Sequence, residues 1–583
     1  MNIIKTQISK ILKEIIKEHY HFDIEEIKLD TPPKKELGDF CFWPFLLAKP
    51  LGKNPAQISN DLLELLKNNS HFLELSVAGP YLNFKLSYEF YTELFLNEAN
   101  TIPNIWNGGN IVVDYIGMNV WKPMHIGHMC TPNQGQITVN LYRILWYNVI
   151  ADSHLWDWGI IFGKLILAYK KWGNKEKLQE NAVQHLFELY VKITDEIEKD
   201  DSLEEQTRQE FKKLSEWDAE SIALWSAFTS ESIKSMQIQL DRLGVKADYN
   251  IWESFYEGIW LPKMENYPDL QYKMSDVVKE LLEKNIATQN DDNSVWVIFD
   301  EQTKLPSCIL AKKDGTHWYL ASDLAAIAYR AINWNPEKII YHVDVRQDLH
   351  FKQAFEIASN AGWIAKDKLF FAGNGFISLV SGAMSTRKGN IIKLEDLLDE
   401  AKERAQKILL EKNPEITKED LEILWEIIWI GAIKYWYLSK ARTTDVIFDW
   451  DEFMTFEWNS FPYVAYSYVR AKKIIEKSEV KAQDLEKKDV WSIFSSPEQI
   501  TLYKEIVALN EVLLSVKDNC SYHNLVWYSY NLAKNFSALY NNVQILSEED
   551  ENKKLLNLKL IGEYITTQKI IFDILAIRLP EKM

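Results

Sequence analysis

Ile111-Val112-Val113-Asp114-Tyr115-Ile116, followed by Pro123 and by His125-Ile126-Gly127-His128, carries the strongest structural signal in this 583-residue chain. The first six residues are short-spanned, apolar and β-branched, the composition of a strand buried on both faces of a parallel sheet. Pro123 excludes a helix before the histidines. Beyond them Ile137, Val139, Leu141, Ile144 and Leu145 suit one apolar helix face. A strand-to-helix turn is therefore predicted at His125-Ile126-Gly127-His128, where free backbone N–H groups and the helix dipole favour an anion. Gly127 lets such a ligand approach the main chain closely. Two imidazoles beside a glycine in that place point to the phosphates of a nucleotide.

A second segment fits the same site. Met384-Ser385-Thr386-Arg387-Lys388-Gly389-Asn390 follows the β-like stretches Phe370-Phe371 and Phe376-Ile377-Ser378-Leu379-Val380 and precedes an acidic helix from Leu394 to Glu400. Read alone, it is a solvated basic loop. As a second strand-end loop it meets the first, because ligands of doubly wound sheets bind outside the carboxyl ends of the strands.

The rest of the pattern divides the chain into three domains. Residues 1–105 open with Ile3-Ile4, Ile8, Ile11-Leu12 and Ile15-Ile16 interrupted by lysines, an amphipathic helix rather than a signal peptide. Residues 106–455 alternate strands, such as Lys338-Ile339-Ile340-Tyr341-His342-Val343, with helices, as a Rossmann-like parallel α/β fold requires, with a charged helical insertion near 173–235. Residues 456–583 read as an all-helical bundle.

Composition bounds the function. A chain that is 47% hydrophobic at this length buries more than one core. It contains no uninterrupted apolar run of membrane-spanning length. Cys41, Cys130, Cys308 and Cys520 are scattered without a CxxC pair, so neither a zinc knuckle nor a disulfide framework is expected, and a reduced cytoplasm fits. The net charge of −18 runs against a nucleic-acid partner unless Lys and Arg cluster locally. The candidate basic tracks are Lys402, Arg404 and Lys407, and Lys434, Lys440 and Arg442 beside Tyr435 and Tyr437; solvated helix faces are the plainer reading of each.

The paired segments resemble the nucleotide-binding motifs of class I aminoacyl-tRNA synthetases, and the surrounding sequence resembles the arginyl-tRNA synthetases in particular. Asp114-Tyr115, Asn119 and Lys122-Pro123 match that family's strand before the histidine motif. Asp157-Trp158-Gly159 with Phe162-Gly163-Lys164-Leu165 matches its next hallmark. Tyr319-Leu320-Ala321-Ser322-Asp323, then Arg346-Gln347-Asp348-Leu349-His350-Phe351 and Gln353, fit its amino-acid pocket. Phe461-Pro462-Tyr463-Val464-Ala465-Tyr466, Tyr468 and Arg470 resemble the start of its anticodon-binding domain.

The resemblance implies an arginine–tRNA ligase that uses ATP with Mg2+ as substrate, holds no tightly bound metal or organic cofactor, acts on tRNA(Arg), and works as a cytoplasmic monomer away from membranes. Residues 1–105 then bind the tRNA elbow, and 456–583 the anticodon. Another class I synthetase is the alternative.

An arginine pocket needs carboxylates and amide or phenol oxygens around a planar forked cation. Asp114, Asp323, Tyr319 and Gln347 supply that set, and Asn119 holds the α-amino or carboxylate end. On spacing alone Asp323 reads rather as a cap for the helix Leu324-Ala325-Ala326-Ile327, and the resemblance to the family's pocket reverses that reading. His125, Gly127 and His128, with Met384, Ser385 and Lys388, form the expected ATP site. His125 and His128 donate to phosphate oxygens. Thr386 occupies the place of the second motif's final lysine, so the catalytic cation is Lys122, Lys388 or Arg387.

Several residues depart from the family. Ile116-Gly117-Met118 replaces Ser-Ser-Pro before Asn119, and Cys130 stands where Arg is common. Trp146, Trp156, Trp217, Trp252, Trp458 and, less clearly, Trp121 fall where relatives carry glycine. The chain has 22 Trp and 21 Gly, where average composition gives about 41 glycines. The expectation is that some of these tryptophans stand at UGA codons read as glycine, since indole is poorly suited to positions needing φ > 0.

Overall fold

The computed structural model describes residues 3–98, 101–259, 267–379, 393–400, 417–448, 459–480 and 492–583. The second predicted loop, with Met384, Ser385, Arg387 and Lys388, lies outside these, as do Lys402, Arg404, Lys407 and Trp458.

The helix Ile3–Tyr20 buries Ile4, Ile8, Ile11, Leu12 and Ile16, a stripe at helical spacing. That stripe joins a core with Phe42, Leu82 and Phe84. These three belong to an antiparallel sheet of β1 (Leu29–Asp30), β2 (Phe40–Phe42), β3 (Phe72–Ala78) and β4 (Tyr81–Leu86), ordered β1-β2-β4-β3.

The central sheet is built from β5 (Asn110–Asp114), β6 (Asn148–Ser153) and β7 (Tyr249–Asn250), then, after a small antiparallel sheet of β8 (Ala287–Gln289), β9 (Val295–Val297) and β10 (Cys308–Ala311), from β11 (Pro336–Tyr341) and β12 (Leu369–Phe371). Its order is β12-β11-β5-β6-β7, and every pairing is parallel. Both faces are covered. Ile111 and Val113 enter the core shared with the C-terminal helices, while Val112 points to the opposite core with Ile339, Leu320 and Leu324. That double burial is why β5 reads as a continuous apolar run. β5 ends at Asp114 rather than Ile116, and the strand expected from Lys338 to Val343 is observed at Pro336–Tyr341.

From β5 the chain continues to β6 and β7 on one side, then crosses back to β11 and β12 on the other. The crevice at the carboxyl ends of β5 and β11 is therefore the topological switch point, where ligands of such sheets bind. The helix Cys130–Ile144 returns from this crevice along β5. Gly135 permits its close approach, since a Cβ there would lie 1.9 Å from Tyr115 Cβ.

Four helices from Lys175 to Arg242 lie between β6 and β7, after the helix Ile160–Trp172. Downstream, β13 (Ile377–Leu379) pairs in parallel with β14 (Val446–Phe448). The C-terminal bundle contains the helices Phe461–Lys477, Pro497–Val507, Leu509–Asn519, His523–Asn542 and Glu551–Ile574, with Lys418–Leu438 packed against it. Lys434 does not belong to a solvent-facing basic track: it is fully buried, donating to the carbonyls of Leu243 and Ala576. Among the described residues, no helix is long and apolar enough to cross a membrane.

Candidate active site

The turn Ile126–Met129 is a short 3-10 helix capped by His125. His125 Nδ1 accepts from Gly127 N at 3.1 Å, and His128 Nδ1 accepts from His125 N at 3.1 Å. A ring whose Nδ1 accepts carries its proton on Nε2. The two imidazoles stack with centroids 3.8 Å apart and planes inclined by 29°.

Burial, reinforced by the charges of Lys122 and Arg346, lowers the His125 pKa to about 4. Burial, with His125 and Lys122 adding to it, lowers His128 well below its ordinary value. Both rings are thus neutral Nε2–H donors at neutral pH, suited to stabilise charge on phosphate oxygens. Lys122 is half-buried, its Nζ 4.9 Å from the Trp121 ring centroid. Lys393, which follows the second predicted loop in sequence, pairs antiparallel with His125, and Leu394 N donates to Met124 O at 2.8 Å.

Beside this turn the ends of β5 and β6 meet the helix Tyr319–Trp334. Arg330, fully buried on that helix, donates from Nε and Nη2 to Asp152 Oδ2 at 3.0 and 2.8 Å, and its Nη1 lies 2.8 Å from Asp114 Oδ2. Asp114 therefore already holds a cation in this state.

Asp323 is not a helix cap. The helix begins at Tyr319 with Trp318 in the cap position, so Asp323 lies one turn inside it. Its Oδ2 is 2.6 Å from His350 Nε2, and Oδ1 is 3.8 Å from His154 Nε2. Burial opposes the Asp323 carboxylate, yet His350, His154 and Arg330 hold its pKa below the usual range. Burial likewise opposes the His350 imidazolium, but the Asp323 bond and charge outweigh it and raise the His350 pKa.

Sequence reasoning missed Glu253. It opens the four-residue helix Glu253–Tyr256 and is buried, with Ser322 Oγ 3.4 Å from Oε1. Burial first, then the charges of Asp157 and Asp323, push its pKa well up. The available signal was an acid set inside the apolar and aromatic run Ile251-Trp252-Glu253-Ser254-Phe255-Tyr256.

Asp157, from the expected hallmark, serves the scaffold. It accepts from Ser254 N at 2.9 Å and Ser254 Oγ at 2.6 Å, and burial pushes it up to about 7.

The remaining predicted residues are spread around this cluster. Tyr319 is 51% exposed, and Glu253 contributes to the upward shift of its phenol, after burial. Asn119 pairs with Trp156 in an isolated parallel bridge. Gln347 stands on the loop after β11, just before the helix Asp348–Asn360, in a turn closed by Asp344 Oδ1 accepting from Arg346 N at 2.9 Å. No side-chain bond links Asn119 or Gln347 to Asp323 among the described contacts. Among the described residues no group of three or more His, Cys, Asp or Glu is placed to hold a metal ion.

Three family models account for nearly the whole length. Residues 2–86 match the arginyl tRNA synthetase N terminal domain, 92–450 the catalytic domain of tRNA synthetases class I (R), and 464–583 the DALR anticodon binding domain. The arginine–tRNA ligase of Clostridium perfringens is 37% identical over 585 residues, covering 98% of this chain and 99% of its own. That of Fusobacterium nucleatum is 33% identical over the full length of both. In fold, the arginyl-tRNA synthetase of Plasmodium falciparum superposes with a TM-score of 0.76 at 23% identity over all of both chains. That of Thermus thermophilus gives 0.75 at 21% identity, covering 99% of this chain and all of its own. With the histidine turn at the switch point and curated relatives matched end to end, this chain belongs to the arginyl-tRNA synthetase family of class I.

Proposed function

We propose that this chain joins L-arginine to the terminal adenosine of tRNA(Arg) in two steps, with Asp323 and Glu253 receiving the guanidinium. The observation that carries the assignment of the pocket is the pair of carboxyl groups, Glu253 buried and Asp323 half-buried. Burial, then the charges of Asp157 and Asp323, push the Glu253 pKa well up, and an incoming cation favours its ionised form. A forked guanidinium satisfies two such groups at once. Tyr319 and Gln347 complete the polar lining, Asp114 contributes at the strand end with Arg330, and Asn119 holds the α-amino or carboxylate end.

In the first step the arginine carboxylate oxygen attacks the α-phosphorus of ATP. The new O–P bond forms as the bond to the bridging oxygen breaks and pyrophosphate leaves. The chain's work is positioning and charge stabilisation. His125 and His128 donate from Nε2 to phosphate oxygens, Gly127 leaves space for the nucleotide, and Met384 and Ser385 contact it from the second loop. Lys122 and Lys388 neutralise developing charge. Mg2+ arrives with ATP. In the second step a hydroxyl of the terminal ribose, by class analogy the 2′, attacks the arginyl carbonyl and AMP leaves. The protein acts as a cytoplasmic monomer.

The test is pyrophosphate exchange with each amino acid, with and without tRNA(Arg). Exchange is expected with arginine alone and only when the tRNA is present. Exchange driven by another amino acid overturns the assignment.

A further inference from the structure

Two helices from different parts of the chain end against one buried ammonium. The helix Glu551–Ile574 closes with Ala576 N donating to Asp573 O at 3.3 Å and Ile577 N to Phe572 O at 3.0 Å, with Ala576 at φ +51°. The helix Ala219–Arg242 of the catalytic domain closes in the same manner, Gly244 N donating to Asp241 O at 3.0 Å and Val245 N to Leu240 O at 2.9 Å. Both are Schellman turns, which leave carbonyls and the negative end of the helix dipole facing outward. The two turns touch: a Cβ on Gly244 would lie 3.4 Å from Ala576 O. Lys434 Nζ sits between them, donating to Leu243 O at 2.6 Å and to Ala576 O.

A second clasp holds the same end of the C-terminal helix. Asn140 Nδ2 donates to Asp573 O at 2.9 Å and Ile574 O at 3.3 Å. Asn140 lies on Cys130–Ile144, the helix that the histidine turn opens. Its Oδ1 accepts from Gln136 Nε2 at 2.9 Å, and Gln136 Oε1 accepts from Lys246 N at 2.7 Å. Tyr115 OH donates to Lys246 O at 2.6 Å, and Tyr115 directly follows Asp114 at the end of β5. A continuous run of hydrogen bonds thus joins the last helix of the bundle to the strand and the helix that flank the histidine turn.

We propose that Asn140 and Lys434 are positioning residues for the ligation reaction, seating the C-terminal end of the bundle so that the histidine turn is held in its reactive geometry. This rests on the reading of the site under Proposed function. Cohesion does not require these bonds, because the bundle and the catalytic domain already share one apolar core. What directional bonds to carbonyl groups add is register, at the cost of burying a charge. Burial, helped by the charge of Arg578, lowers the Lys434 pKa to about 7.

The experiment uses the full chain and compares wild type with Asn140→Asp, which keeps shape but removes the donor, with Lys434→Met, and with the double variant. A control, Leu532→Ala, opens a cavity inside the bundle's own core. The measurements are kcat and the KM values for arginine, ATP and tRNA in charging, together with the melting temperature. Expected are a fall in kcat of about tenfold or more in each single variant with KM values within about twofold, a double variant no worse than about the poorer single, and an unchanged kcat in the control. An unchanged kcat in Asn140→Asp overturns the proposal, as does a loss that tracks melting temperature equally in Leu532→Ala. If Lys434→Met does not fold, Asn140→Asp decides alone. A wild-type chain unable to charge tRNA with arginine overturns the functional reading and this one with it. An active wild type with an unaffected Asn140→Asp overturns only this one.

Discussion

Asp323 Oδ2 and His350 Nε2 lie 2.6 Å apart, joining the helix Tyr319–Trp334 to the helix Asp348–Asn360. The bond makes Asp323 both a candidate ligand for the substrate and a structural partner of the His350 ring, whose pKa it raises. The two roles separate in measurement.

Asp323→Asn keeps the shape and removes the charge. The arginine KM is expected to rise strongly in pyrophosphate exchange with the ATP KM nearly unchanged, because one carboxylate facing the guanidinium is lost. Stability is expected to fall by about 2 kcal/mol, the worth of a hydrogen bond to a charged group. The His350 pKa is expected to drop in an NMR titration, since its raised value depends on Asp323. An arginine KM equal to wild type removes Asp323 from the pocket.

His125→Ala and His128→Ala are each expected to slow activation by about 2–4 kcal/mol of transition-state stabilisation, if each ring donates to the reacting phosphate. His125→Ala also loses the side-chain acceptor that caps its turn, adding about 1 kcal/mol of destabilisation. Single-turnover rates at saturating ATP separate the two effects. Unchanged rates would make both rings simple turn-formers.

Acid is expected to destabilise the fold through its neutral histidines. Burial lowers His125 from 6.5 to about 4, and burial, with the charge of Arg442, lowers His342 to about 3. Unfolded, both rings take up protons near their ordinary value, so the unfolded chain binds more protons than the folded one below pH 6.5. Stability is full above that value and is lost progressively as pH falls towards about 4 and then about 3. Denaturant midpoints collected across this range should decline with falling pH, and the decline should be shallower in His342→Gln. A flat profile between those limits removes the idea that these rings are buried uncharged.

The tryptophans expected at glycine positions divide by backbone conformation. Trp146 and Trp217 have φ of +72° and +65° and are 60% and 55% exposed. Each ends a helix in a Schellman turn, Tyr147 N donating to Tyr142 O and Asp218 N to Lys213 O, both at 3.0 Å. Glycine has no penalty in that conformation, so Trp146→Gly and Trp217→Gly are each expected to stabilise by about 1 kcal/mol. Trp121 behaves differently. Its indole is fully buried, 4.3 Å from the Tyr190 ring, and replacement by Gly should cost about 3–5 kcal/mol, as should Trp158→Gly beside Phe211 and Trp225. Trp156 and Trp252 keep φ on the ordinary side, so no backbone argument favours glycine there. Melting temperatures of the four single variants check the division, and UGG codons at 146 and 217 would remove the recoding idea.

What the sequence by itself determined is what short-range chemistry dictates. The apolar run at β5, the break at Pro123, the histidine turn and the stripe of Ile3–Tyr20 follow from periodicity and backbone stereochemistry within a few residues, and the motif spacing identified the family. Tertiary structure decided everything that depends on which distant groups become neighbours. Asp323 reads as a cap until the helix start at Tyr319 and the approach of His350 place it inside the helix and in a hydrogen bond to that ring. Glu253 looks like an ordinary surface charge until burial near Asp157 and Asp323 pushes its pKa up, and Arg330 until burial beside Asp114 and Asp152 makes its pairing a matter of several kcal/mol. Lys434 reads as one cation of a basic track, and only the meeting of two helix ends shows it enclosed. Burial is a property of the packed chain, and the strength and sign of an electrostatic effect follow burial, so residue identity alone could nominate these groups but not assign what each one holds.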